Sequence, residues 1–282
     1  MFYPKISVLM VSYNRGNVIE QAISSVVNQT YKNIELVVVD GGSKDGTLDV
    51  LHKYNSSIAY WCSEKDNGIY HAANKALDHI TGDYFIWLST DDCFVSEDVI
   101  ECAVKELDAS VDVLSGWIYW VNNNGYEYFG RNTYAIDKEK YSGGMIPTEG
   151  VFWRTDLVKE YKFDESYKVA ADYKLFLQLY YNDNVKFKYI DLPITYFATG
   201  GVSSVQSICR EENNRIYREL NLLQFVDIHL RYSIVKKTRI SIRNLLQDTF
   251  LFEILQNVRD KIFRQKHHCN NKICRWCGRY ES

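Results

Sequence analysis

Apolar residues arrive along the first hundred positions in two alternating rhythms. KISVLMV (5–11) is a continuous apolar run that stops at Ser12-Tyr13-Asn14. Ile19, Ala22, Ile23 and Val26 then follow helical spacing. IELVVVD (34–40) is a second run, halted by Gly41-Gly42, and a helical stretch begins near Asp45. Ile58–Cys62 reads as a weaker strand. Ile69, Ala72, Ala73, Ala76, Leu77 and Ile80 mark one stripe of a helix, DYFIWLS (83–89) is another buried strand, and a helix starts near Ser96. Fully apolar strands need cover on both faces, and the amphipathic helices between them supply it. The pattern predicts an α/β fold with a mostly parallel central sheet flanked by helices.

After residue 110 the rhythm changes. VDVLSGWIYWV (111–121) reads as a strand, Asn122-Asn123-Asn124-Gly125 as a turn, and YEYFG (126–130) as the returning arm of a hairpin. Residues 143–150 form a loop, 171–182 a helix, 185–190 a strand, and TGGVSS (199–204) a loop. From about 210 onward the pattern is helical and increasingly basic. The expected organisation is 1–110 as the ligand-binding half of one domain, 111–210 as its second half, and 211–282 as a helical basic C-terminal extension.

Composition narrows the class. The chain has 282 residues, 46% apolar and 24% charged, with 15 Gly and 3 Pro, which excludes collagenous, disordered and low-complexity chains. Residues 231–282 hold twelve Lys and Arg against four Asp and Glu, a net of +8; the whole chain is at −3, so the remainder carries −11. An acidic body is no footprint for nucleic acid. The seven cysteines are scattered, the N-terminus does not read as a signal peptide, and no run of ~20 apolar residues offers a membrane-spanning helix. The expectation is a cytoplasmic protein with reduced thiols.

In an open parallel sheet, ligands bind beyond the carboxyl ends of the strands. Three such ends carry polar residues here: Ser12-Tyr13-Asn14-Arg15, Asp40, and Ser89-Thr90-Asp91-Asp92. GGSKDGT (41–47) matches neither glycine-loop signature for phosphate. Adjacent carboxylates at a strand end suit a hard divalent cation, Mn²⁺ or Mg²⁺, shared with substrate phosphates. Asp40 has the chemistry to contact a nucleobase or ribose, or to cap the following helix or turn.

VSYNRGNVIEQAISSVVNQTYKNIELVVVDGGSKDGT and SEKDNGIYHAANKALDHITGDYFIWLSTDD together resemble glycosyltransferase family 2, in its bacterial polysaccharide-building members. The resemblance is strong over 5–95 and looser to about 205, through FDESYKVAADYKLFLQL and FATGGVSS. It implies a GT-A type fold and inverting transfer from a nucleotide-sugar, with Asp40 contacting the base, usually uracil. Asp91 and Asp92 match the carboxylate motif for metal and ribose. That motif is usually D-x-D, and its first position here is Ser89, which makes Asp91 the favoured metal ligand. Asp66 and Gly68 match a loop near the donor, and Lys75 on the following helix joins the expected donor set. His71 stands where relatives often carry an acidic residue.

Sugar transfer with inversion needs a base within reach of the acceptor hydroxyl. Asp172, Leu175, Phe176 and Leu179 fall at i, i+3, i+4 and i+7, so Asp172 leads an apolar helix face, either as a base aimed at the cleft or as the helix N-cap. The resemblance of VAADYKL to the family's acidic catalytic motif favours the base, with Ala171 in place of a usual Glu. Glu149, in GMIPTEGVF, is placed at the acceptor or in solvent. Trp117 shares a strand face with Tyr119 while Trp120 points away; Trp117 stacks on a sugar or packs in the core. Gly200-Gly201 is a hinge or an ordinary turn.

In the tail, Leu251, Leu255, Val258 and Ile262 form a helical stripe among Lys and Arg side chains, suited to an anionic inner-membrane surface or to packing on protein. His267, Cys269, Cys274 and Cys277 have the chemistry for zinc, although only one C-x₂-C pair is present. The expected activity is metal-dependent transfer from a UDP-linked or similar sugar to a glycan or lipid-linked acceptor. The rivals are a sugar nucleotidyltransferase and a non-catalytic nucleotide-sugar or glycan-binding protein.

Overall fold

The structure is a computed structural model that describes residues 2–122, 125–130, 147–200, 206–223, 265–267 and 276. Its elements in chain order begin β1 (Ile6–Ser12), α1 (Ile19–Val27), β2 (Ile34–Asp40), α2 (Thr47–Lys53), β3 (Tyr60–Ser63), α3 (Ile69–His79) and β4 (Tyr84–Trp87). They continue β5 (Cys93–Phe94), α4 (Val99–Val104), β6 (Val113–Val121), β7 (Tyr126–Gly130) and β8 (Val151–Arg154). The last are α5 (Thr155–Tyr161), α6 (Ala171–Tyr180), β9 (Phe187–Ala198), α7 (Gln206–Glu219) and β10 (Gln265–Lys266).

The sheet runs β10-β7-β6-β8-β4-β1-β2-β3, and β9 lies parallel beside β6. Strands β4, β1, β2 and β3 form a parallel block, with Ile6 opposite both Ile34 and Tyr84. Period-two alternation splits β1 between two cores. Ile6, Val8 and Met10 pack against Ile19, Ala22 and Ile23 of α1, while Leu9 packs with Ala72, Ala73, Ala76 and Leu77 of α3. The continuous apolar runs are thus covered on both sides, the expected architecture. Antiparallel β8 then joins β4 to β6, so one sheet passes through both halves of the chain. The expected hairpin forms, with Trp120 opposite Tyr128.

Three expectations change near the C-terminus. The strand expected at 185–190 extends to Ala198 as β9, because β6 offers it a partner along its whole length, with register shifts around Trp117. The extension is not helical throughout. α7 is followed, past residues outside the described set, by β10, which pairs with β7. His267 is buried, its ring against those of Tyr196 and Trp276 at 4.4 and 5.2 Å. An imidazole packed between aromatic rings is a core residue, although Cys269, Cys274 and Cys277 lie outside the described residues. So do the basic stripe from Leu251 to Ile262 and the turn residues Asn123 and Asn124. No disulfide joins Cys62, Cys93, Cys102 or Cys209. Among the described residues no helix is long and apolar enough to cross a membrane.

Candidate active site

The carboxyl ends of β1 and β4, the start of α3, the turn at 148–150 and the loop entering α6 enclose a cleft of about 440 Å³. Parallel pairing brings these segments together: Ser12 ends its strand opposite Asp40, and Leu9 pairs with Trp87. Of the expected donor residues, Ser12, Tyr13, Arg15, Asp66, Gly68 and Asp91 line the cleft. Ser12 is 5% exposed and its Oγ has no hydrogen-bond partner among the described residues, an arrangement that favours a polar ligand group there. Tyr13 is 61% exposed, a flat apolar surface at the rim.

Asp66 reaches the cleft because residue 41 is glycine. A Cβ on Gly41 would lie 2.5 Å from Asp66 Oδ2 and 3.3 Å from Tyr13 Cδ2. The other Asp66 oxygen accepts a 2.9 Å bond from the Gly68 amide, and Gly68 adopts φ +122°, a conformation open to glycine but strained for other residues.

Three expected donor residues and one expected metal ligand do not line the cleft. Asp40 is fully buried, and its oxygens accept bonds from the Gly42 and Ser43 amides and the Ser43 and Ser63 hydroxyls. It ties down its own turn and β3, the local role that a carboxylate after a strand fills when backbone N–H groups curl back on it. Asn14 bridges two loops: its amide donates to Ser43 Oγ and its Oδ1 accepts from the Lys44 amide. Lys75 is not in the cleft lining and pairs with Glu64. Asp92 is 1% exposed and its Oδ1 accepts a 2.7 Å bond from the Ala198 amide, so it anchors the end of β9. Successive side chains after a strand cannot all face one way, and Asp91 takes the cleft.

The residues present still fit a divalent cation. Among the described residues no three His, Cys, Asp or Glu side chains are placed to hold a metal ion together. A cation that shares substrate phosphates needs only one or two protein carboxylates, and Asp91 supplies one with Ser89 beside it in the same wall.

Asp172 and Glu149 share the cleft with Asp91. Asp172 lies within the first turn of α6, whose N-cap is Ala170, so it is not the cap. Its Oδ1 accepts bonds from Tyr70 Oη and the Tyr173 amide, both 2.9 Å. Burial raises its pKa against those bonds, which favour the ionised form. Burial also raises the Tyr70 hydroxyl, helped by the charge of Asp172. Glu149 is pushed up to about 7, first by burial and then by the Asp172 charge, although it accepts bonds from Ser89 and Thr148. Burial thus raises both carboxyl groups, and the charge of Asp172 further disfavours ionisation of Glu149.

Trp117 does not line the cleft; its indole donates 3.1 Å to Asp191 and its ring meets Tyr119. Trp120 instead contacts Phe197, which does line the cleft. The strand alternation held, and the opposite face from Trp117 is the one nearer the site. Gly200 has φ +107°, and Gly201 lies outside the described residues. The sequence reading missed Tyr70, Trp87, Lys168 and Val169. Tyr70 follows Gly68-Ile69 in the KDNGIY segment already singled out, but Lys168 sits in an irregular loop with no periodic signal.

Comparison with known proteins bears on the fold and the family. A 207-residue stretch is 31% identical to "Uncharacterized glycosyltransferase RT0329" of Rickettsia typhi, covering 70% of this chain and 62% of that one. An "Uncharacterized glycosyltransferase" of Rickettsia bellii is 29% identical over 229 residues, 77% of this chain and 33% of that one. The chain thus spans between a third and about three-fifths of these relatives' lengths. The fold matches S. aureus TarS 1–349 in complex with UDP at a TM-score of 0.64 and 20% identity, covering 91% of this chain and 78% of that one. It matches the mannosyltransferase PcManGT of Pyrobaculum calidifontis, in complex with GDP-Man and Mn²⁺, at 0.62 and 17%, covering 93% and 81%. These likenesses give the fold as GT-A. The model of "Glycosyl transferase family 2" matches residues 7–171, more than half of the chain, and the chain belongs to that family.

Proposed function

We propose that this protein is an inverting glycosyltransferase that moves a sugar from a nucleoside-diphosphate sugar to a hydroxyl acceptor, with Asp172 as the general base. The observation that carries the reading is the placement of Asp172 in one cleft with Asp91 and Arg15. The donor base rests against Tyr13, with the Asp66 carboxylate at its edge. Asp66 accepts hydrogen bonds, so it favours a base that presents N–H groups, as uracil does. Solved fold relatives carry UDP and GDP-Man, which supports a nucleotide-sugar donor.

Arg15 and Lys168 supply positive charge to the diphosphate, and Ser12 Oγ donates to it. Asp91 would hold the divalent cation, which supplies charge stabilisation to the departing diphosphate. Asp172 takes the acceptor proton as the hydroxyl attacks in line. Tyr70 and the Tyr173 amide both bind Oδ1, which fixes the carboxylate and leaves Oδ2 for that proton. Burial raises the basicity of Asp172 at no cost in orientation. Glu149, across from it, binds the acceptor. The basic tail places the enzyme at the cytoplasmic face of an anionic membrane, where a lipid-linked glycan precursor serves as acceptor.

The test is binding and slow hydrolysis of UDP-, GDP-, CMP- and dTDP-sugars with and without Mn²⁺. Metal-dependent binding of one donor with nucleotide release supports the reading. No binding of any donor in the presence of metal overturns it.

A further inference from the structure

α7 lies outside the family match at 7–171, yet three of its side chains grip the loop that delivers Asp172. Glu212 accepts bonds from two consecutive amides, Lys168 at 2.7 Å and Val169 at 3.0 Å. Arg215 lies over the Tyr167 ring at 4.2 Å and donates 2.8 Å to Ser166 Oγ. Glu219 accepts bonds from Tyr167 Oη and Lys174 Nζ. Lys168 and Val169 line the cleft, and Ala170 is the N-cap of the helix on which Asp172 sits. An irregular loop has no ladder to fix its backbone, so its amides need outside acceptors. Glu212 provides both oxygens in one side chain.

We infer that Glu212 is a positioning residue for Asp172: its bidentate hold on residues 168 and 169 sets the entry to α6, and its negative charge faces the base from α7. The inference rests on the reading of Asp172 as the base. The other groups around Asp172 are Tyr70 from α3, Glu149 from the turn before β8, and Cys209 from α7. Arg15, Asp66, Asp91 and Lys168 share its cleft. A negative neighbour disfavours a second negative charge, so Glu212 helps keep Asp172 basic.

The experiment follows nucleotide release from UDP-N-acetylglucosamine, or from whichever sugar nucleotide the wild-type chain hydrolyses, against pH. Glu212→Gln keeps one acceptor and removes the charge. We expect kcat to fall about tenfold. Its acidic limb should shift down by about half a pH unit while donor KM is unchanged. Glu212→Asp keeps the charge and shortens the reach, so kcat falls and the limb stays in place. If Glu212→Gln does not fold, Glu212→Asp carries the test, with donor binding as the check on folding. Unchanged kcat and pH limb in the folded variants, with only a lower melting temperature, would overturn the positioning role. Asp172→Asn separates the two readings: full turnover in that variant removes the base itself, whereas an inactive Asp172→Asn beside an unaffected Glu212→Gln removes only the positioning role.

Discussion

Gly41 and Glu149 show how a single side chain sets the chemistry of the cleft. The missing Cβ at residue 41 leaves room for the Asp66 carboxylate. Gly41→Ala displaces the flexible end of Asp66 and presses on the exposed Tyr13 ring, so folding is spared and donor contact is not. Isothermal titration should show affinity for the sugar nucleotide falling about tenfold with the melting temperature nearly unchanged. Glu149 tests the buried carboxyl. Its folded pKa is raised from 4.5 to about 7 by burial and by Asp172, so its contribution to stability is full below 4.5 and is lost as pH rises through 7. Glu149→Gln removes that dependence. At pH 8 the variant should be more stable than wild type by on the order of 1 to 2 kcal/mol, a gap that closes in acid. Urea unfolding at both pH values measures it, and an equal gap at each counts against a raised pKa.

At the scale of elements, α6 and α7 meet through Lys174, which is 15% exposed and bonds to Asp164 and Glu219 at 2.7 Å each. Burial opposes ionisation of both carboxyls, yet Lys174 and their other hydrogen bonds hold each down at about 2. Such depressed groups contribute stability above the unfolded pKa and lose it as pH falls through about 2. Lys174→Met leaves two part-buried carboxylates without their shared cation and should cost about 2 kcal/mol near neutrality. The cost should shrink toward pH 2, where protonation removes both charges; thermal melts across that range check it. The loop at 164–169 should loosen with α7, visible as faster amide exchange at Lys168 and Val169.

The whole molecule carries its charge in two blocks, −11 before residue 231 and +8 from residue 231 onward. The basic block favours an anionic surface, whereas the acidic body is repelled by it, so one end of the protein should face the membrane. Sedimentation with phosphatidylglycerol vesicles should exceed that with neutral vesicles. It should weaken about tenfold as salt rises from about 50 to about 300 mM, because screening shortens the reach of each charge. Equal binding to neutral vesicles would count against the electrostatic account. The tail is also tied back into the fold, since His267 and Trp276 pack on Tyr196 beside Ala198, the residue that Asp92 anchors.

Hydrophobic rhythm alone determined the parallel block, the order of β1 to β4 with their helices, the hairpin, and the helix that bears Asp172. Burial on two faces leaves a continuous apolar run, and burial on one helix face leaves a 3.6-residue stripe; both are local marks in the chain. The strand ends together with the family resemblance pointed to Ser12, Tyr13, Arg15, Asp66, Gly68, Asp91 and Asp172, which line one cleft, and also to Asn14, Asp40, Lys75 and Asp92, which do not. Only the tertiary structure decided which way each polar group turned. Asp40 and Asp91 both follow buried strands, yet one is consumed by its own turn and the other opens to the cleft. Asp91 and Asp92 are neighbours, yet Ala198, 106 residues beyond Asp92, turns the second inward. Lys168 and Glu212 acquired their places through α7, an element whose contacts are made across the fold. A carboxylate's role depends on the amides and hydroxyls that reach it, and those partners are distant in the chain, so no local pattern records them.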